Sequence, residues 1–270
     1  MNRGSAAGSA SVLTATAAGV AQIALNRPEK RNALDRATIA ALRAELQRCA
    51  EDPRVRVVQI TGTGEVFCAG ADLGEMQAQA QAAEADNLEH AEQLAAMLGV
   101  LDSLPKPTLA RVNGDGYGGA LGILAACDIV VAVDTAKFAF TEVRLGIIPA
   151  VISPFVMGKI GEGAARRYFL TAETLRAADL KELGLVHEVV PLPLLDAECA
   201  RITEALLKGA PGAQAHAKAL IREVAHASAP NRAAASREAA GRLARLRVQA
   251  EAQEGFSAFF AKRKAGWRQD

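Results

Sequence analysis

The sequence predicts an α/β fold with a helical C-terminal segment, and three observations carry that prediction. Apolar runs of strand length alternate with stretches of helical period, as at Val20 to Leu25 followed by Ile39, Leu42, Leu46 and Cys49. A β-prone run, Pro107 to Val112, ends in a cluster of glycines (Gly114, Gly116, Gly118, Gly119) and passes at once into an apolar, Ala-rich run that reaches Asp128. From about Pro211 the composition shifts to Ala-rich helix with charged faces.

Composition sets bounds. With 270 residues, half of them hydrophobic, the chain is long enough for one large core and a small appendage. Its 31 basic and 30 acidic side chains nearly cancel, which argues against nucleic acid as a partner. Apolar runs such as Ile129 to Val133 fall far short of the roughly 20 residues of a membrane span. Cys49, Cys68, Cys127 and Cys199 form no C-x-x-C and sit in apolar contexts, so they read as reduced, buried thiols of a cytoplasmic protein. Residues 1–17 lack a sustained apolar centre, so no secretory signal is expected and the stretch reads as a flexible tail.

In chain order, VAQIAL (20–25) is a strand that runs into the charged turn Asn26 to Asn32, either a solvated loop or the rim of an anion site. Asp35 is placed to cap the helix bearing Ile39 to Cys49, and Asp52-Pro53 ends it. Val55 to Thr61 is the next strand. After it, Ala69, Gly70 and Ala71 permit a close approach of backbone to a ligand. Gln77 to Asp86, if helical, is weakly anchored and able to close over a site, and Leu94, Met97, Leu98 and Leu101 give a core-facing helix ended by Pro105 and Pro107. Strands follow at Ile129 to Val133, Lys137 to Phe140 and Val186 to Val190. Helices follow at Glu162 to Thr171, Ala177 to Leu183 and Leu194 to Leu207.

Two stretches carry chemistry. The glycine turn leaves the first amides of a new helix without intrahelical partners, donors suited to an oxyanion or a phosphate. Gly114, Gly116 and Gly119 satisfy G-x-G-x-x-G with Asp134 about twenty residues beyond the first, a dinucleotide fingerprint, although the helix between is short for a nucleotide crossover. Glycines required only for packing are the other reading. Glu142, a carboxylate among apolar residues, is either an edge group reaching water or an acid–base group with a raised pKa. Phe256, Phe259 and Phe260, followed by Lys262, Arg263 and Lys264, suggest a surface that another subunit covers.

Taken together, LNRPEKRNALD (25–35), VFCAGADLGEM (66–76), VNGDGYGGALG (112–122), ACDIVVA (126–132) and FAFTEVRLGIIP (138–149) resemble the crotonase family of enoyl-CoA hydratases and isomerases. EGFSAFFAKRKAGW (254–267) resembles that family's terminal helix. The resemblance demotes the dinucleotide reading. It implies a crotonase-like spiral of ββα units over residues 18–205 and a C-terminal helical segment, 206–270, that forms a homotrimer or a dimer of trimers.

It further implies an acyl-CoA thioester substrate, with coenzyme A present only as its carrier, no resident cofactor and no metal. The backbone amides of Ala71 and Gly119 would hold the thioester oxygen, and Glu142 would move the proton. Lys30, Arg31 and Ala33 would contact adenine and phosphate, and Ala69, Asp72 and Leu73 would line the pantetheine path. Phe259 and Lys262 would reach in from a neighbouring subunit.

The family's hydratases commonly use two glutamates; the position of the first is Gly122 here. GGALG, TEVRLGIIPAVISP and ARRYFLTAE resemble bacterial methylglutaconyl-CoA hydratase-like proteins of leucine and isoprenoid breakdown. That likeness implies hydration by Glu142 alone, helped by a backbone amide near Ala150, with Asp115 and Tyr117 replacing the missing hydrogen bonds. Δ3,Δ2-enoyl-CoA isomerisation and non-catalytic acyl-CoA binding are the alternatives.

Overall fold

The computed structural model describes residues 10–225 and 232–268. The chain opens with β1 (Val12–Ala17) and β2 (Val20–Leu25), an antiparallel pair in register from Val12↔Leu25 to Ala17↔Val20. Helix α1 (Arg36–Glu51) leads to β3 (Val57–Gly62), parallel to β2, and α2 (Leu73–Gln79) and α3 (Glu84–Ser103) lead to β4 (Thr108–Val112), parallel to β3. After β5 (Gly116–Tyr117) and α4 (Gly119–Ala126) comes β6 (Ile129–Val133), parallel to β4. Then β7 (Lys137–Ala139), α5 (Ser153–Thr171), β8 (Leu175–Arg176) and α6 (Ala177–Glu182) precede β9 (Glu188–Val190), parallel to β6. Helices α7 (Leu195–Lys208), α8 (Pro211–Ala225), α9 (Arg232–Arg247) and α10 (Ala250–Phe260) complete the described chain.

The large sheet keeps chain order, β1-β2-β3-β4-β6-β9, so every connection advances the same way. Strands β5, β7 and β8 form a second, smaller sheet, and the isolated bridges Leu34↔Ala71 and Cys68↔Gly116 add further pairings between successive passes of the chain. Each turn thus gives one strand to the large sheet and one short step to a second layer, which is a spiral of repeated α/β units. Strand β3 is buried at five of six positions, as a parallel sheet covered on both faces requires.

Local rules explain the elements between. Asp35 Oδ1 accepts from the Thr38 N–H at 2.7 Å and starts α1, whose Ile39, Leu42, Leu46 and Cys49 are buried on one face. Met97, Leu98 and Leu101 of α3 are buried, with Leu94 packed at their edge. All four cysteines are free and buried, and burial pushes the Cys68, Cys127 and Cys199 thiols up to about 12. Among the described residues no helix is long and apolar enough to cross a membrane.

Three expectations need correction. Residues 12–17 are not a flexible tail but strand β1; only Val12 among them is buried, so backbone pairing with β2 holds the strand and its Thr/Ala sequence hides it. Residues 1–9 of that tail lie outside the described residues. Gln77 to Asp86 is not one helix: α2 ends at Gln79, and α3 begins at Glu84. The helix expected from Glu162 is the second half of α5, which starts at Ser153 and breaks at Gly161 (φ 73°, ψ 167°).

The charged turn after β2 is pinned rather than loose. Asn32, 1% exposed and at φ 57°, donates through Nδ2 to the Thr63 and Val66 carbonyls (2.8 and 2.7 Å) and accepts from the Arg27 N–H (2.9 Å). At the other end of the chain, α8 is tied to the spiral by Lys218, whose Nζ meets Asp128 at 2.7 Å, and by Arg222, which donates to the Asp102 carbonyl. Glu251 of α10 accepts from the first amides of α8, Gly212 and Ala213.

Asn32→Ala leaves two part-buried carbonyls and one N–H without their side-chain partner, and it is expected to cost about 1–3 kcal/mol in urea unfolding at unchanged m-value. A loss below about 0.5 kcal/mol would show that the turn does not depend on that side chain.

Candidate active site

Two turns on neighbouring passes of the spiral build the site, and they touch. Gly70 (φ 86°) lies so close to the next pass that a Cβ there would stand 2.7 Å from the Tyr117 carbonyl oxygen. Only glycine supplies both that conformation and that approach. The Leu34 N–H donates to the Gly70 carbonyl (2.7 Å), and the Asp72 N–H donates to the Leu34 carbonyl (3.0 Å). In this parallel pairing the residues on either side of Ala71 make the bonds, so the Ala71 N–H points the other way. Gly119 is the first residue of α4 and its N–H has no intrahelical acceptor. Among the described residues neither amide donates to a protein acceptor.

Glu142 completes the arrangement. It opens a short 3₁₀ turn, Glu142–Leu145, and its Oε2 is buried without a hydrogen-bond partner. Its Oε1 lies 3.3 Å from where a Cβ of Gly118 would stand, and Gly118 at φ 48° leaves that space open. Burial raises the carboxyl above its ordinary value, opposed in part by its own backbone N–H. A desolvated carboxylate beside two unpaired amides is equipped to move a proton while a neighbouring oxygen gains negative charge.

Two cavities meet at Ala71. The first, about 360 Å³, is lined by Ala71, Gly119 and Glu142 together with apolar residues such as Leu34, Leu94 and Ile152. The second, about 370 Å³, collects Lys30, Arg31, Ala33, Ala69, Ala71, Asp72 and Leu73, with Tyr117 beside them. Lys30, Arg31, Ala33, Ala69, Ala71, Asp72, Leu73, Gly119 and Glu142 therefore lie on one or both walls, and Asp115 on neither. Phe259 and Lys262, on the C-terminal segment, line neither cavity.

Asp72 serves by positioning. Its Oδ2 pairs with Arg27 at 3.0 Å, and its Oδ1 accepts from the Gly74 N–H at 2.8 Å, capping α2. Burial pushes its carboxyl up, but Arg27 and the Gly74 and Glu75 amides outweigh burial and hold it below the ordinary value.

Several expected contributions are redirected. A Cβ at Gly122 would stand 2.5 Å from Ile152 Cγ2 and 3.1 Å from Leu98 Cδ1, so packing fills the place of a second carboxylate. Asp115 and Tyr117 bond each other (3.1 Å); Asp115 also faces Arg31 at 3.7 Å, and neither lines the cavity of Glu142. The Ala150 N–H donates to the Ile148 carbonyl (2.7 Å) and is not free for a ligand. Arg111 pairs with Asp196, and Arg144 donates to the Ala172 carbonyl; neither lines the cavity of Glu142. A Cβ at Gly114 would lie 1.9 Å from the Glu65 carbonyl, and one at Gly116 would lie 3.1 Å from Phe138. Those two glycines of the dinucleotide pattern serve packing.

The residues that sequence reasoning missed are Gln79, Asn87 and His90, which line the cavity of Glu142 from α2 and α3. Their stretch is Ala- and Gln-rich, and no local signal says which face meets the site. Among the described residues no group of three or more His, Cys, Asp or Glu is placed to hold a metal ion.

The family model described as enoyl-CoA hydratase/isomerase matches residues 15–270. A 2,3-dehydroadipyl-CoA hydratase of Escherichia coli is 33% identical over 242 residues, 89% of this chain and 92% of that protein. A crystal structure of an enoyl-CoA hydratase from Shewanella pealeana superposes with a TM-score of 0.91 at 38% identity, covering 95% of this chain and 96% of that one. An enoyl-CoA hydratase from Mycobacterium smegmatis superposes at 0.89 with 31% identity, covering 96% and 99%.

The packing at Gly122 generates a test. Gly122→Glu alone is expected to lose about 1–3 kcal/mol or more through overpacking, and Gly122→Glu with Ile152→Ala to regain part of it, read as melting temperatures. Equal stability of wild type and Gly122→Glu would mean that the position is roomier than the packing shows.

Proposed function

The chain belongs to the enoyl-CoA hydratase/isomerase family, and on that premise we propose that it adds water across the double bond of a 2-enoyl-CoA with Glu142 as both base and acid. The observation that carries this reading is the unpartnered Oε2 of Glu142 in the same cavity as the unpaired amides of Ala71 and Gly119. The Glu142 carboxylate takes a proton from water as the water oxygen bonds to Cβ, and the π electrons move onto the thioester oxygen. Ala71 and Gly119 donate to that oxyanion, each worth about 3–4 kcal/mol of barrier. Glu142 then returns the proton to Cα and the enolate collapses, so one water is added and no resident cofactor is consumed. Lys30 and Arg31 at the rim of the second cavity suit the phosphates of coenzyme A.

Among the described residues no Lys or Arg lines the cavity of Glu142. That supports a neutral acyl group over 3-methylglutaconyl-CoA, whose distal carboxylate wants a cation. The filled place at Gly122 favours a second reading, Δ3,Δ2-enoyl-CoA isomerisation, in which Glu142 carries a proton between two carbons and no water needs holding. Phe259 and Phe260, 76% and 78% exposed on α10, support a subunit contact; we assign it to a homotrimer or dimer of trimers, to which Phe259 and Lys262 would contribute across the interface.

Loss of enoyl-thioester absorbance with crotonyl-CoA tests the hydration step. Wild type is expected to react and Glu142→Gln to lose about 10²- to 10⁴-fold in kcat. Near-normal turnover in the variant would overturn the mechanism, and a wild type that converts only a 3-enoyl-CoA would select isomerisation.

The charged carboxylate is the active form at the start, and burial raises its pKa. Therefore kcat/KM is expected to fall as pH drops through a value above the ordinary carboxylate range. A limb within that ordinary range would contradict the burial argument.

A further inference from the structure

The acyl end of the Glu142 cavity is not uniformly apolar. Gln79, Asn87 and His90 stand together in its wall, with Leu94 and Ile147 to Ile152 around them. His90 Nδ1 is 2.8 Å from Gln79 Nε2, and its Nε2 is 3.2 Å from Glu75 Oε2. The amide therefore donates to Nδ1, and the ring N–H lies on the Glu75 side. Burial, and the charge of Arg36, lower the His90 pKa against the pull of Glu75, so the ring is neutral around neutral pH. Asn87 Nδ2 donates to the Gln79 backbone carbonyl at 3.1 Å.

Each of the two amides keeps its oxygen and one N–H over. His90 Nδ1 and one amide hydrogen each of Gln79 and Asn87 are engaged within the wall, whereas His90 Nε2 stands near Glu75 Oε2 without a hydrogen bond. The side-chain oxygens Gln79 Oε1 and Asn87 Oδ1 accept nothing among the described residues, and neither is a buried orphan. Both side chains line the cavity. With Glu75 behind the wall, Glu142 on the same cavity and, among the described residues, no Lys or Arg in its lining, a carboxylate there would meet like charge and no cation, whereas a neutral hydroxyl would find both acceptors and donors in the two amides.

Resting on the hydratase reading above, we propose that Gln79, Asn87 and His90 select acyl-CoA thioesters whose acyl tail ends in a neutral hydrogen-bond donor, a hydroxyl, and reject tails that end in a carboxylate. His90 is a positioning residue: its Nδ1 holds the Gln79 amide in the wall.

The test uses the full chain and three series matched in length, with tails ending in methyl, hydroxyl or carboxylate. Calorimetric binding of the saturated acyl-CoAs reads selection without turnover, and kcat/KM with the corresponding 2-enoyl-CoAs reads it in the reaction. In wild type the hydroxyl tail is expected to bind roughly 3- to 10-fold tighter than the methyl tail, the range of one neutral hydrogen bond, and the carboxylate tail at least about 10-fold weaker than the hydroxyl.

Asn87→Leu should bring hydroxyl and methyl tails within about twofold by removing an acceptor, whereas Asn87→Asp, which keeps acceptor oxygens, should retain the hydroxyl preference and deepen the carboxylate's exclusion. Wild-type binding that is equal for the three tails, or tightest for the carboxylate, overturns the proposal, as does an unchanged hydroxyl preference in Asn87→Leu. If the expected binding order appears while no 2-enoyl-CoA is hydrated, the selection stands and the hydratase reading falls.

Discussion

The contact between Gly70 and the Tyr117 carbonyl is the constraint on which the site depends. It brings two turns, some fifty residues apart in the chain, to within the reach of a single missing methyl group. Each turn carries one amide that its own secondary structure leaves unpaired: Ala71 because the residues on either side of it make the bridge to Leu34, Gly119 because it begins a helix. Separately each is an ordinary orphan donor. Side by side they converge on one cavity, and the spiral arranges this by stacking successive passes of the chain in order. Backbone donors set in that way need no reorganisation when charge develops before them, which is where such sites gain most of their effect.

The same economy governs the carboxylate. Glu142 is raised by burial, and Gly118 leaves its Oε1 unobstructed. The place where a second carboxylate would stand is closed by Ile152 and Leu98, so this is a packing decision and not a polar gap awaiting a side chain. Charge around the site is neutralised at its edges: Arg27 holds Asp35 and Asp72, and Arg31 faces Asp115. Inside, Glu142 keeps a carboxylate oxygen without a hydrogen-bond partner.

Much of this was legible in the residues. Small residues at 69–71 and the glycines at 116–119 announce close approach, because nothing else fits such turns, and Lys30, Arg31, Ala33, Ala69, Ala71, Asp72, Leu73, Gly119 and Glu142 fall on the two joined cavities. What stayed hidden depends on partners remote in sequence. Strand β1 is written in Thr and Ala and is held by pairing with β2. The filling of Gly122's neighbourhood is decided thirty residues later, at Ile152. Asp115 and Tyr117, at the lip of the glycine turn, turn toward each other and toward Arg31 instead of the acyl cavity. Gln79, Asn87 and His90 sit on helices whose orientation only the assembled fold determines.

The central claim is that the amides of Ala71 and Gly119 polarise a thioester carbonyl independently of Glu142. Infrared difference spectroscopy of a bound acyl-CoA, isotopically labelled at that carbonyl, measures this directly. The account predicts that the C=O stretch moves to lower frequency on binding, by a similar amount in wild type and in Glu142→Gln. A stretch that keeps its free-solution frequency in both would mean that the two amides do not hold the thioester oxygen, and the account would fail at its base.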